Sequence, residues 1–276
     1  MLKKIILYTL LVLLLSSCTF VNYRIDNKKF SAKGQNERIK FIVIHYTATT
    51  DEVGIRALTG ESVSSHYLIT TKSDEPTYNL VPDEKRAWHA GISEFNRHTN
   101  LNDTSIGIEI SNKGIVDYDK TKEEFGFFIP QDRYIEYSEG QIKKLVNLLQ
   151  KLILTYDIKP TNILGHSDIA PTRKIDPGAK FPWERLYREY GIGAWYDEKD
   201  KIFYMNEELY RVTPIEVIKE EFRRYGYKIN TSEEWDEESK RVVYSFQAHF
   251  NQDDVTGEMD LETYAILKAL NKKYRK

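Results

Sequence analysis

The chain has 276 residues, 41% hydrophobic and 30% charged, with 40 basic and 42 acidic side chains mixed along it. That length and apolar content exclude a disordered tail or a disulfide mini-protein, and they suffice for one large domain or a medium domain plus a small one. No basic block of the kind that grips a phosphate backbone occurs, so a nucleic acid is not an expected partner; the single cysteine, Cys18, excludes intramolecular disulfides and four-cysteine metal sites.

Residues 1–17 read as a targeting segment. Lys3 and Lys4 precede an apolar run over residues 5–15, which as a helix rises roughly 16 Å, about half of a bilayer core. That fits a signal-peptide core rather than a membrane span. Leu15-Ser16-Ser17-Cys18 then resembles a bacterial lipoprotein signal, in which the cysteine is acylated, by palmitate among other chains, and becomes the mature N-terminus. The other reading is a plain secretory signal with an incidental thiol. Residues 18–37 are polar and aperiodic, as expected of a lipid-anchored tether. Thr19 stands where inner-membrane retention is associated with aspartate, so in a two-membrane cell the expected location is the periplasmic face of the outer membrane.

Past the tether, Ile39 and Phe41-Ile42-Val43-Ile44 predict a buried strand over residues 38–46. Short strands are expected over 67–71 and 78–81 around a polar turn, and Ser-Ile-Gly-Ile-Glu-Ile-Ser alternates as a strand over 105–111. Ser138 and Gln141 form a capping box for a long helix whose stripe is Ile142, Leu145, Val146, Leu149, Leu152 and Ile153. A brief strand over 162–164 leads into Gly165-His166, and a short helix over 184–190 stops at Gly191. Three further helices follow. Thr213-Pro214-Ile215-Glu216 reads as a capping box, and Asp236 and Asp260 cap the other two. The expected fold is α/β, a mixed central sheet flanked by helices with a small C-terminal three-helix domain. The expected boundaries are a signal at 1–17, a tether at 18–37, a catalytic domain at 38–195, a linker at 196–212 and a helical domain at 213–276.

Chemistry concentrates on histidines. Of six, His45 ends the first buried strand and His166 ends a later one; Asp176 follows ten residues on. Two imidazoles and a carboxylate make a complete protein ligand set for a catalytic zinc, although buried histidines and a turn aspartate give the same spacing. His98 and His249 read as ordinary surface or helix residues.

Five blocks occur in order: Phe41-Ile42-Val43-Ile44-His45-Tyr46-Thr47-Ala48, Val63-Ser64-Ser65-His66-Tyr67-Leu68-Ile69, Ala87-Trp88-His89-Ala90-Gly91, Ser105-Ile106-Gly107-Ile108-Glu109, and Gly165-His166-Ser167-Asp168-Ile169-Ala170-Pro171 with Lys174 and Asp176. Together they resemble the zinc-dependent N-acetylmuramoyl-L-alanine amidases of the family that includes peptidoglycan recognition proteins. Phe181-Pro182-Trp183 and Gly191-Ile192-Gly193-Ala194-Trp195 extend the resemblance toward its periplasmic lipoprotein branch; residues 112–137 match poorest and look like a variable insertion. The C-terminal helices resemble a peptidoglycan-binding domain through Phe222-Arg223-Arg224-Tyr225-Gly226-Tyr227, Val243-Tyr244-Ser245-Phe246-Gln247 and Thr256-Gly257-Glu258-Met259-Asp260. A helical buttress for the sheet domain is the other reading of that segment.

The resemblance implies zinc held by His45, His166 and Asp176, Glu109 as the base that takes a proton from water and passes it to the leaving nitrogen, and Lys174 as oxyanion stabiliser. Trp88 and His89 would line the cleft against substrate. His66 would either contact substrate or serve as a structural hydrogen-bonding histidine, and Asp168 would orient the loop or a ligand. The implied reaction cuts the amide between N-acetylmuramic acid, its 1,6-anhydro form included, and the L-alanine of the stem peptide. Peptidoglycan or muropeptides and, through Cys18, a membrane are the implied partners of a monomer. A non-catalytic peptidoglycan recognition protein, or a lipoprotein linking membrane to wall, is the alternative.

Overall fold

The computed structural model describes residues 25–275; the signal segment, Cys18 and the first residues of the tether lie outside the described residues. Residues 25–36 carry no helix or strand and are exposed. From Glu37 onward the chain forms one compact unit, and among the described residues no helix is long and apolar enough to cross a membrane.

A five-stranded sheet organises the unit. Its strands are β1 (Phe41–Tyr46), β2 (Tyr67–Ile69), β3 (Tyr78–Asn79), β6 (Ser105–Ile110) and β7 (Ile163–Gly165), ordered β3-β2-β6-β1-β7; β4 (Glu94–Phe95) and β5 (His98–Thr99) form a separate hairpin. β1 runs parallel to both β6 and β7, β2 runs parallel to β6, and β3 is antiparallel at the edge. Phe41 through Ile44 are fully buried, as a central parallel strand covered on both faces requires. Around the sheet lie α1 (Asp51–Leu58), α2 (Tyr118–Phe125), α3 (Glu139–Tyr156), the single turn α4 (His166–Ile169) and α5 (Trp183–Tyr190). In α3 the Ser138 hydroxyl accepts from the Gln141 amide and the Gln141 side chain accepts from the Ser138 amide, so the capping box forms as read. The Gln141 side chain also donates to the Ser111 carbonyl, pinning the helix start to the end of β6.

The segment expected as a linker folds instead into α6 (Glu198–Tyr204) and α7 (Glu207–Val212). Lys201 pairs with Glu262, Lys272 with Asp200 and Lys273 with Asp197, fastening α6 to the last helix. The three C-terminal helices are α8 (Ile215–Tyr225), α9 (Glu237–Phe250) and α10 (Leu261–Tyr274). Asp236 and Asp260 cap α9 and α10 as expected. Thr213 does not cap α8: Pro214 takes the cap position, and the Thr213 hydroxyl donates back to the Leu209 carbonyl because α7 ends directly before it. Phe222, Tyr225, Tyr227, Phe246 and Phe250 share one continuous core with Phe95, Ile169 and Trp195. The C-terminal helices therefore complete the same hydrophobic core as the sheet.

Candidate metal centre and cleft

Parallel pairing sets the site. His45 of β1 lies in register with Glu109 of β6, and Ile44 lies in register with Gly165 of β7. In-register neighbours share a face, so His45 and Glu109 stand side by side at the carboxyl ends of central strands, with His166 one step past the third. The loop after β7 then returns Asp176 to the same point. His45 Nδ1 and His166 Nδ1 are 3.0 Å apart, and Asp176 Oδ2 is 3.0 Å and 3.1 Å from them. Each of the three residues is buried.

These distances test the ligand set. Three acceptor atoms converging at about 3 Å repel one another unless a cation lies among them, and tetrahedral zinc with bonds of about 2.0–2.1 Å spaces its ligands by roughly 3.3 Å. The far ring nitrogens are already committed. His166 Nε2–H donates to the Ala90 carbonyl at 3.1 Å, which leaves the Nδ1 lone pair directed at the cluster. His45 Nε2–H donates to His89 Nδ1 at 3.0 Å; His89 Nε2–H donates to the Ser105 hydroxyl at 3.2 Å, which donates to the Leu101 carbonyl at 2.5 Å. Metal-binding histidines are held by such outer bonds, which fix tautomer and ring orientation. The residues present fit a zinc ion.

Electrostatics agree. Burial, and next the neighbouring His166, lower His45 to about 4, so its imidazole is neutral and able to donate a lone pair at physiological pH. Burial pushes Asp176 up, but His166 and His45 together outweigh it and hold its carboxylate below the usual range. Glu109 moves the other way: burial, then the like charge of Asp176, push it up to about 8, with Lys174 pulling it partly back. Glu109 Oε2 is buried and has no hydrogen-bond partner among the described residues. A carboxyl tuned upward in a cleft beside a candidate metal site is the pattern of a general base.

The cleft encloses about 320 Å³ and its walls include Trp88, Glu109, Lys174 and the three ligand residues. Trp88, 51% exposed, stands on the rim, available to pack on a ligand. His89 reaches the cleft wall but is 8% exposed, and its ring nitrogens serve His45 and Ser105. Its ring packs over Gly107 of β6, where a Cβ would collide with the imidazole. His66 is fully buried, accepting from the Gly107 amide and donating to the Lys85 carbonyl, so it takes the structural role of its two readings. His249, expected as an ordinary helix residue, is 3% exposed and stacked between Trp183 and Phe250.

Sequence reasoning missed Ser105, Gly107 and Arg173. The first two share a strand face with Glu109, and a polar-small-acid alternation opposite Ile106, Ile108 and Ile110 is the signal that marks them. Arg173 gave no signal: it lines the cleft and donates to the Ala90 and Ile92 carbonyls, contacts created only by the fold.

Comparison with known proteins accounts for this architecture. Residues 35–179 match the family model described as N-acetylmuramoyl-L-alanine amidase, and residues 211–267 match one described as a peptidoglycan binding domain. The chain is 40% identical over 261 residues to the N-acetylmuramoyl-L-alanine amidase AmiD of Escherichia coli (strain K12), covering 91% of this chain and 89% of that protein. A crystal structure of AmpDh3 from Pseudomonas aeruginosa in complex with anhydromuramic pentapeptide superposes with a TM-score of 0.81 at 38% identity, covering 92% of this chain and 99% of that one. The E. coli AmiD structure, a complex with anhydro-N-acetylmuramic acid-L-Ala-D-gamma-Glu-L-Lys as substrate, gives 0.77 at 37% identity, covering 92% and 96%. With a mostly parallel sheet that carries the histidine, glutamate and aspartate blocks to one cleft, and relatives that align along nearly its whole length, the chain belongs to the N-acetylmuramoyl-L-alanine amidase family.

Proposed function

We propose that this chain is a zinc-dependent N-acetylmuramoyl-L-alanine amidase that cuts the amide between N-acetylmuramic acid, or its 1,6-anhydro form, and the L-alanine of the stem peptide. The observation that carries the reading is the convergence of His45 Nδ1, His166 Nδ1 and Asp176 Oδ2 within 3.1 Å, beside a raised Glu109. The AmiD complex with an anhydro-muramyl peptide supports the substrate class. Bound zinc supplies polarisation of the scissile carbonyl and a lowered pKa for water.

The chain's own groups do the rest. Glu109, on a rigid central strand, accepts the proton from water at its unpartnered Oε2 and delivers it to the departing nitrogen. Lys174, in the cleft wall two residues before Asp176, faces the negative charge that develops on the carbonyl oxygen. Trp88 at the rim offers an aromatic face to sugar or peptide. Lipid at Cys18 would hold the enzyme, as a monomer, at the periplasmic face of an outer membrane, with residues 18–37 as the tether, and the C-terminal helices would bind peptidoglycan. The test is incubation with defined muropeptides, with chelator and then with zinc, read by mass spectrometry. Release of a peptide beginning with L-alanine, abolished by chelation and restored by zinc, is expected. Intact substrate despite stoichiometric zinc would overturn the reading in favour of recognition without cleavage.

A further inference from the structure

The loop over residues 165–181 carries two of the three metal ligands and Lys174. Several of the polar contacts that hold its shape come from the C-terminal helices and the segments that flank them. Asp168, fully buried and two residues beyond His166, accepts from the Gly165 amide at 2.7 Å, from the His249 Nδ1–H of α9 at 2.8 Å, and from the Tyr227 hydroxyl just past α8. Of these three donors, only the Gly165 amide belongs to the loop. The His249 ring cannot turn away, being sandwiched between Trp183 at 3.8 Å and Phe250 at 3.9 Å.

Two further side chains from the C-terminal module reach the loop directly, and a third reaches it through Tyr134. Arg241, lying on the Phe127 ring, donates to the Thr172 carbonyl at 2.9 Å. Gln252, two residues past α9, donates to the Ala179 and Phe181 carbonyls at 2.7 and 2.8 Å. Tyr244 donates to the Ile129 carbonyl at 2.6 Å and meets the Tyr134 hydroxyl at 2.7 Å; the Tyr134 ring in turn closes on Gly178. Residues 112–137, which resemble a variable insertion, thus join the metal loop to α9.

We propose that Tyr227 and His249 are positioning residues for the metal centre: by fixing Asp168 they orient His166, so the C-terminal helices set zinc affinity and turnover as well as any contact with the wall. The proposal rests on the zinc-amidase reading. A carboxylate held by charge-assisted donors from a second module is a stiff joint, and partners outside the ligand shell commonly change metal affinity by about ten- to a hundredfold.

The test uses the full chain and four variants. Tyr227→Phe removes one hydroxyl; His249→Leu removes the Nδ1 donor; His249→Asn keeps a donor near that position. Gln247→Ala is the control, since among the described residues the Gln247 side chain bonds only within the C-terminal module, to Glu258, Thr263, Thr256 and Gly257. Zinc affinity is read by competition with a chromophoric chelator, alongside the thermal midpoint of the metal-free protein and kcat and KM on a soluble muropeptide. Tyr227→Phe and His249→Leu are expected to weaken zinc at least about tenfold and lower kcat with KM little changed, His249→Asn to restore most of the affinity, and Gln247→Ala to lower the midpoint while leaving zinc binding within about twofold. If His249→Leu fails to fold, Tyr227→Phe carries the test. Zinc affinity unchanged in Tyr227→Phe, or falling equally in the control, would overturn the proposal and leave a buttress. Wild type that binds zinc but cleaves nothing would sink the amidase reading, and the zinc titrations would still decide the positioning role. Wild type that binds no zinc would overturn both.

Discussion

Replacing Glu109 by glutamine separates the chemistry of the cleft from its stability. Glu109 is raised from 4.5 to about 8 in the folded chain, first by burial and then by Asp176. Between those values the folded metal-free protein holds a proton that the unfolded chain releases, so stability falls as pH rises through this window and levels off above about 8. Each pH unit in the window costs about 1.4 kcal/mol. The ceiling at pH 7.5 is therefore about 4 kcal/mol, and screening by solvent in the open cleft brings the expected value to about 2 kcal/mol. Glutamine does not titrate. Metal-free Glu109→Gln should be more stable than wild type by about 2 kcal/mol at pH 7.5 and nearly equal to it at pH 5, measured by urea unfolding at each pH. Zinc should shrink the difference, since a dication favours the carboxylate. In the same variant kcat should fall about 10²- to 10⁴-fold, the usual worth of a positioned base, with zinc still bound. Parallel pH–stability curves for the two proteins, or turnover within tenfold of wild type, would refute the assignment of Glu109 as a raised, proton-accepting carboxyl.

Two other substitutions test the frame around the site. Gly107→Ala places a methyl group against the His89 imidazole; overpacking of about 1–3 kcal/mol and a roughly tenfold or greater loss of zinc affinity are expected, because His89 holds the Nε2–H of His45. Normal zinc binding with an unchanged melting midpoint would remove His89 from that role. Cys18→Ser should abolish incorporation of labelled palmitate and release the protein from the membrane fraction; retention in the membrane would refute the lipid anchor.

The sheet strands, the long capped helix and the C-terminal helices were legible because each rests on local periodicity and cap chemistry: an apolar run for β1, alternation for β6, a capping box at Ser138, aspartate caps at Asp236 and Asp260. The residues that could hold zinc were legible too, since His45 and His166 stand at strand ends and their blocks resemble a known family. The helices α6 and α7 escaped notice, because seven and six residues carry too little periodicity to stand out from a connection; what holds them comes from afar, ion pairs from α6 to α10 and, for α7, Tyr210 against Tyr264 and the Met259 carbonyl. Which histidine does what was beyond local pattern. His66, His89 and His249 are equally polar in the sequence, yet one braces a strand, one backs a metal ligand and one locks Asp168, as decided by strand register, the missing side chain at Gly107 and the aromatic stack around His249. Sequence by itself determines which elements form and which chemical groups are on offer, because both depend on neighbours along the chain. The raised Glu109, the 3 Å ligand cluster and the joining of the C-terminal helices to the metal loop depend on groups tens of residues apart, whose separation and burial exist only once the core has closed.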